Sequence, residues 1–212
     1  MKLKLAPLFL VATFALCGAA WAADDAVSFF RAVRRDSDLA VAEMLQKGTD
    51  PNIQNEKGNT GLHIAFLEGM PRAAGVLLKA PNLDANRLNK VGESPLMMAA
   101  LKGQVDAVRT LIERGAAINK SGWTPLHYAA TSGNIDIMNM LLDKGAQPDA
   151  RSPNGTTPLM MAARYGSTQA VQLLLQKGAD PKLANEQKLT ALDFARQGQR
   201  PDATKILEKL AQ

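Results

Sequence analysis

An eight-residue block recurs along the chain, and that recurrence restricts the fold more than any other feature. Gly58-Asn-Thr-Gly-Leu-His-Ile-Ala65, Gly92-Glu-Ser-Pro-Leu-Met-Met-Ala99, Gly122-Trp-Thr-Pro-Leu-His-Tyr-Ala129 and Gly155-Thr-Thr-Pro-Leu-Met-Met-Ala162 align without gaps. Lys188-Leu-Thr-Ala-Leu-Asp-Phe-Ala195 is a worn fifth copy, and successive blocks start 34, 30, 33 and 33 residues apart. Asn52, Asn86, Asn119, Asp149 and Lys182 mark the same period a second time. Such a period belongs to a stack of small supersecondary units, none of which can bury its apolar face alone.

Each part of the block has a physical task. The opening Gly permits the turn that enters the unit. Thr or Ser caps a first helix, and Pro at the next position is preorganised for its first turn. Leu points into the stack, and the small pair that follows, as in Ala129-Ala130, lets neighbouring helices approach. Gly69, Gly103, Gly133 and Gly166 are expected to close that helix. A second helix carries apolar residues at helical spacing, such as Val108, Leu111 and Ile112. Helices of two to three turns are unstable alone, so the array folds as one unit.

Composition agrees: aromatics are only 5% of the 212 residues, while Ala, Leu and Met are plentiful. That balance favours helices over sheets.

The first 22 residues read as a targeting segment. Lys2 and Lys4 supply a positive start, Leu5 to Leu16 an apolar stretch, and Ala20-Trp21-Ala22 the small-x-small pattern of a signal-peptidase site. The stretch is too short to span a membrane comfortably, so no stable membrane insertion is expected after cleavage. Cys17, the one cysteine, falls in this segment, and cleavage after Ala22 leaves a chain whose stability must come from packing. Two of the 25 basic residues fall there too, which leaves 23 against 20 acidic ones, a net of +3. A charge that small and that evenly spread argues against nucleic acid.

The repeat block resembles that of the ankyrin-repeat family, over residues 24–212. The resemblance implies an all-α solenoid of about six stacked helix-turn-helix units with projecting β-turn loops. Residues 24–57 would form an N-terminal cap repeat. Full repeats would follow at 58–91, 92–121, 122–154 and 155–187, with a C-terminal cap at 188–212. Ankyrin-repeat proteins bind other proteins through loop tips and the concave inner-helix face. The compact exported layout resembles that of periplasmic bacterial members. It implies a monomeric, non-catalytic scaffold that inhibits, protects or organises a partner protein, in one version as an immunity protein. The alternative is a secreted effector that meets a host protein.

Binding energy collects on Trp, Tyr and Arg. Register places Trp123, Tyr165, Arg164, Arg151 and Arg87 on the tips or the inner face, and these are the expected anchors. The basic tips suit a partner with an acidic patch. The loop from Asn119 to Gly122 is three residues shorter than its counterparts, which predicts a notch near Trp123. In the first full repeat, Gly61 stands where Pro is usual and Phe66 where the second Ala is usual, which predicts local irregularity.

No zinc spacing, phosphate-cradling Gly loop or nucleophile elbow occurs, so neither catalytic residue, cofactor nor metal site is expected. His63 and His127 share one slot of the repeat, read elsewhere as Met98, Met161 and Asp193. The period explains them as members of the turn network, and two repeats separate them, a poor arrangement for an acid–base pair. The pairs Met97-Met98 and Met160-Met161 are read as core filling.

Overall fold

The computed structural model describes residues 25–211. The targeting segment, with its cleavage site after Ala22, lies outside the described residues. Among the described residues, twelve helices form six consecutive pairs. The first helix of each pair is α1 (25–34), α3 (Gly61–Glu68), α5 (Pro95–Leu101), α7 (Pro125–Ser132), α9 (Pro158–Arg164) or α11 (Ala191–Gln197). The second is α2 (Asp38–Gln46), α4 (Pro71–Leu78), α6 (Val105–Glu113), α8 (Ile135–Asp143), α10 (Thr168–Gln176) or α12 (Pro201–Ala211). From α3 onward the odd-numbered helices stack on one another as an inner row, and the even-numbered helices from α2 onward make an outer row. The chain is therefore an all-α solenoid. Among the described residues there is no strand, only isolated bridges Gln54–Thr60 and Ala184–Thr190 in the first and last long loops.

The inner row is built as its residues dictate. The hydroxyls of Thr60, Ser94, Thr157 and Thr190 accept the N–H three residues on, and Pro95, Pro125 and Pro158 occupy the first turn. Ala99-Ala100, Ala129-Ala130 and Ala162-Ala163 are buried between successive helices, where small side chains allow close packing.

The glycines after the inner helices do two different jobs. Gly69 and Gly133 are left-handed caps, with φ 75° and 68°. Gly166, expected from the sequence to close α9 in the same way, is not a left-handed cap; α9 is capped by Tyr165. A Cβ at Gly166 would run into the Ala130 carbonyl, so this glycine is set by close approach of two repeats.

The histidine slot also needs a correction: it is held by Met97 and Met160, one residue earlier than Met98 and Met161. Thr60 N–H donates to His63 Nδ1 at 3.3 Å and Thr124 N–H to His127 Nδ1 at 3.2 Å. In the other copies the same N–H points at Met97 Sδ (3.3 Å), Met160 Sδ (3.4 Å) and Asp193 Oδ2 (2.8 Å). Three side-chain chemistries thus meet one requirement, an acceptor for the cap residue's N–H.

The recurring Asn joins each unit to the next. Asn52 Nδ2 donates to Asn82 O at 2.8 Å while its Oδ1 accepts Asp84 N–H at 2.8 Å. Asn86 does the same with Gly115 and Ala117, and Asn119 with Gly145 and Gln147. Asp149 can only accept, and takes Asp180 N–H. Lys182 holds this place in the last long loop of the described residues and has no side-chain amide.

The first full repeat is irregular for a visible reason. Phe29 is fully buried, and its ring lies where a Cβ on Gly61 would sit, 2.9 Å from Cε1. Proline is excluded at that position by the cap helix. Phe66 is buried where others have Ala, and the α3–α5 contact is the sparsest between successive helices of the inner row. α4 is followed by Lys79-Ala80-Pro81, with no glycine. Arg114 of the following repeat reaches back to the Leu78 and Ala80 carbonyls at 3.0 and 2.7 Å.

Candidate partner-binding face

Trp123 precedes the cap of α7 and is half-buried. Its ring meets His127 edge-on at 5.1 Å and Tyr128 at 6.4 Å. With Leu101, Tyr128, Thr131 and Met161 it lines a shallow pocket of about 170 Å³ across three successive inner helices. The lining is almost wholly apolar, the character of a receptor for one hydrophobic side chain. Tyr128 fixes the floor: its hydroxyl donates to Glu93 Oε1 at 2.8 Å, while Asn89 Nδ2 donates to Glu93 Oε2 at 2.9 Å. Burial, with the Glu93 carboxylate beside it, holds the phenol well above its usual range.

His127 lines the pocket but is committed to the scaffold. Its Nδ1 accepts from Thr124 N–H, so Nε2 carries the proton and donates to Thr156 O at 3.0 Å. Burial pushes its pKa down to about 4. His63 repeats the arrangement with Glu93 O at 3.0 Å, and burial lowers its pKa too. Both rings are neutral ties between repeats.

The other expected anchors do not line this pocket. Tyr165 is 51% exposed, with the Arg164 guanidinium 5.1 Å from its ring centroid. It follows Met161 by four residues, at the far end of α9. Arg164 Nη1 also donates to Gln197 at 3.2 Å. Arg151 is turned toward the next loop, where Nη2 donates to Ala184 O at 2.7 Å. Arg87 is exposed on the second long loop. Tyr128 and Met161 were not among the expected anchors. Their place in the repeat marks them as packing residues, and only the stacking of α7 on α9 brings both against Trp123.

The loop tips form a ladder with a break. Each full-length tip is a tight turn closed by an N–H to a carbonyl three residues back, as in Gly58–Asn55, Gly92–Asn89, Gly155–Ser152 and Lys188–Asn185. Lys90 N–H donates to Lys57 O at 3.1 Å, and Glu186 N–H to Asn154 O at 3.0 Å, so tips one and two and tips four and five are joined. The third loop lacks the turn. Pro153, at the position matching Lys90, has no N–H to give.

Three comparisons with known proteins agree with this architecture. Models described as ankyrin repeats match residues 29–119, 64–152 and 141–195. The chain therefore belongs to the ankyrin-repeat family, whose repeats bind other proteins. Among curated proteins, it is 38% identical over 72 residues to a putative palmitoyltransferase of Danio rerio, and 32% over 83 residues to a glycerophosphocholine phosphodiesterase of Schizosaccharomyces pombe. Those matches cover 34% and 39% of this chain but only 11% and 7% of the relatives. Among solved structures it resembles a chain of a complex between a predatory endopeptidase of Bdellovibrio bacteriovorus and its immunity protein. The TM-score is 0.72 at 30% identity, over 86% of this chain and 97% of the other.

Proposed function

We propose that this protein is a non-catalytic scaffold that acts outside the cytoplasm, in a periplasm, and neutralises a partner enzyme as an immunity protein does. The observation that carries the reading is the likeness to a chain of an endopeptidase–immunity complex, which extends over 97% of that chain. A match of that extent concerns a whole chain of such a pair, not an isolated repeat. The aromatic pocket at Trp123 supports it, because an apolar receptor lined by Trp and Tyr is where interface energy concentrates. His63 and His127, the side chains best suited to proton transfer, are both engaged in tying repeats together. Export rests on the Lys2–Ala22 segment.

The test is a titration of the purified protein into an exported endopeptidase of the same organism, followed by calorimetry and peptide-bond cleavage. Stoichiometric loss of cleavage is the expected result. Full cleavage with no heat of binding overturns the immunity reading. Mass spectrometry of the exported protein should give an amino terminus at Ala23; a folded product retaining residues 1–22 overturns the periplasmic assignment.

A further inference from the structure

The break in the tip ladder has two unlike sides. On one side the short third loop lies against the fourth tip: a Cβ on Gly122 would touch the Pro153 ring at 3.5 Å. Gly58 and Gly155 likewise abut the tips that follow them. Gly92 differs, for a Cβ there would meet nothing within 4 Å. Among the described residues no group donates to the Val91 carbonyl, although its counterparts Lys57 O and Asn154 O each accept an N–H. The Val91 side chain is 76% exposed and Leu88 is 41% exposed. The second tip thus presents one unmatched main-chain carbonyl beside exposed apolar side chains, which an N–H from another chain could meet.

Three cations flank this edge, with the Glu93 carboxylate beside them. Arg87 and Lys90 are exposed, and Lys120 turns its ammonium to the Ser121 and Trp123 carbonyls. The ion pairs among the described residues lie on or at the ends of helices, and none includes these three cations. The nearby Glu93 carboxylate is engaged by Tyr128 and Asn89.

We propose that the second tip receives an extended, acidic loop of the partner protein, which donates a backbone N–H to the Val91 carbonyl and lays an apolar side chain on Val91 and Leu88. This rests on the reading of the chain as a partner-binding scaffold. Edge pairing supplies affinity through the main chain, and the cations select an acidic segment. The missing turn in the third loop makes the room, and Pro153, without an N–H, leaves that loop unjoined to the fourth tip.

The experiment is an amide-resolved NMR titration of the mature protein with the amidated peptide Asp-Glu-Leu-Glu-Asp, beside Lys-Lys-Leu-Lys-Lys and a single-stranded oligonucleotide. The acidic peptide should shift the Val91 and Gly92 amides saturably, and the basic peptide should not. Arg87→Ser with Lys90→Ser should weaken the acidic peptide by about tenfold at low salt and less at high salt. A second variant carries the sequence of residues 87–91 in place of 120–121, with Pro153→Lys. It restores the turn and should abolish the shift at Gly92. Unmoved Gly92, equal shifts from the oligonucleotide, or equal binding by the turn-restored variant each overturns the proposal. A shift of the Trp123 indole with Gly92 unmoved overturns it while leaving the scaffold reading intact.

Discussion

The Tyr128 hydroxyl donates to Glu93 Oε1 at 2.8 Å, linking the inner helix of one repeat to the turn that enters the repeat before it. The bond sits beneath Trp123 and orients the pocket floor. Tyr128→Phe removes a hydrogen bond to a carboxylate and should lower unfolding free energy by about 1–2 kcal/mol. Chemical denaturation measures it. An unchanged midpoint would show that water replaces the phenol without cost.

His127 should make stability depend on acid. Its folded pKa, about 4, lies below the unfolded value near 6.5, so the unfolded chain binds more protons between those limits. Its contribution is complete above about 6.5 and declines as pH falls toward 4, by on the order of 3 kcal/mol. His63 acts in the same direction. In His127→Met, which copies the slot as Met97 and Met160 fill it, the decline between pH 6.5 and 4 should be reduced. Melting curves across that range check the sign.

Restoring the family's proline at position 61 should destabilise the protein. Proline in a compatible first turn ordinarily stabilises by about 0.4–1 kcal/mol. Here the Phe29 ring occupies the space, so Gly61→Pro should cost about 1–3 kcal/mol. Combining it with Phe29→Leu should cost less than the sum of the two changes, and a double-mutant cycle reads the coupling.

Trp123→Ala and Tyr165→Ala should each weaken partner binding by about 1–3 kcal/mol. Trp123 also packs on His127 and Tyr128, so affinity must be measured well below the melting temperature. Arg87→Ala should slow association and reduce its salt dependence. Arg151→Ala should in addition lower stability, because Arg151 braces the loop at Ala184. A lower melting temperature with unchanged affinity would make Trp123 a packing residue only.

The sequence by itself determined the solenoid, because the units repeat, with local exceptions, the same instructions: a hydroxyl cap, a first-turn proline, an inward leucine, a small pair and a bridging Asn. Those act within a few residues, or on the identical neighbour one period away, so alignment of the chain with itself reveals them. The start of α2 is equally local: the Ser37 hydroxyl accepts the Ala40 N–H. Tertiary structure decided whatever depends on which surfaces meet. Gly61 looks like a worn proline until Phe29 is seen above it, and Gly166 looks like a cap until the Ala130 carbonyl is found against it. The pocket at Trp123 draws residues from three repeats, and the open edge at Val91 exists because a turn is missing from the loop that follows. Each of these is a relation between residues of different repeats, fixed by how far helices can approach and which main-chain groups find partners.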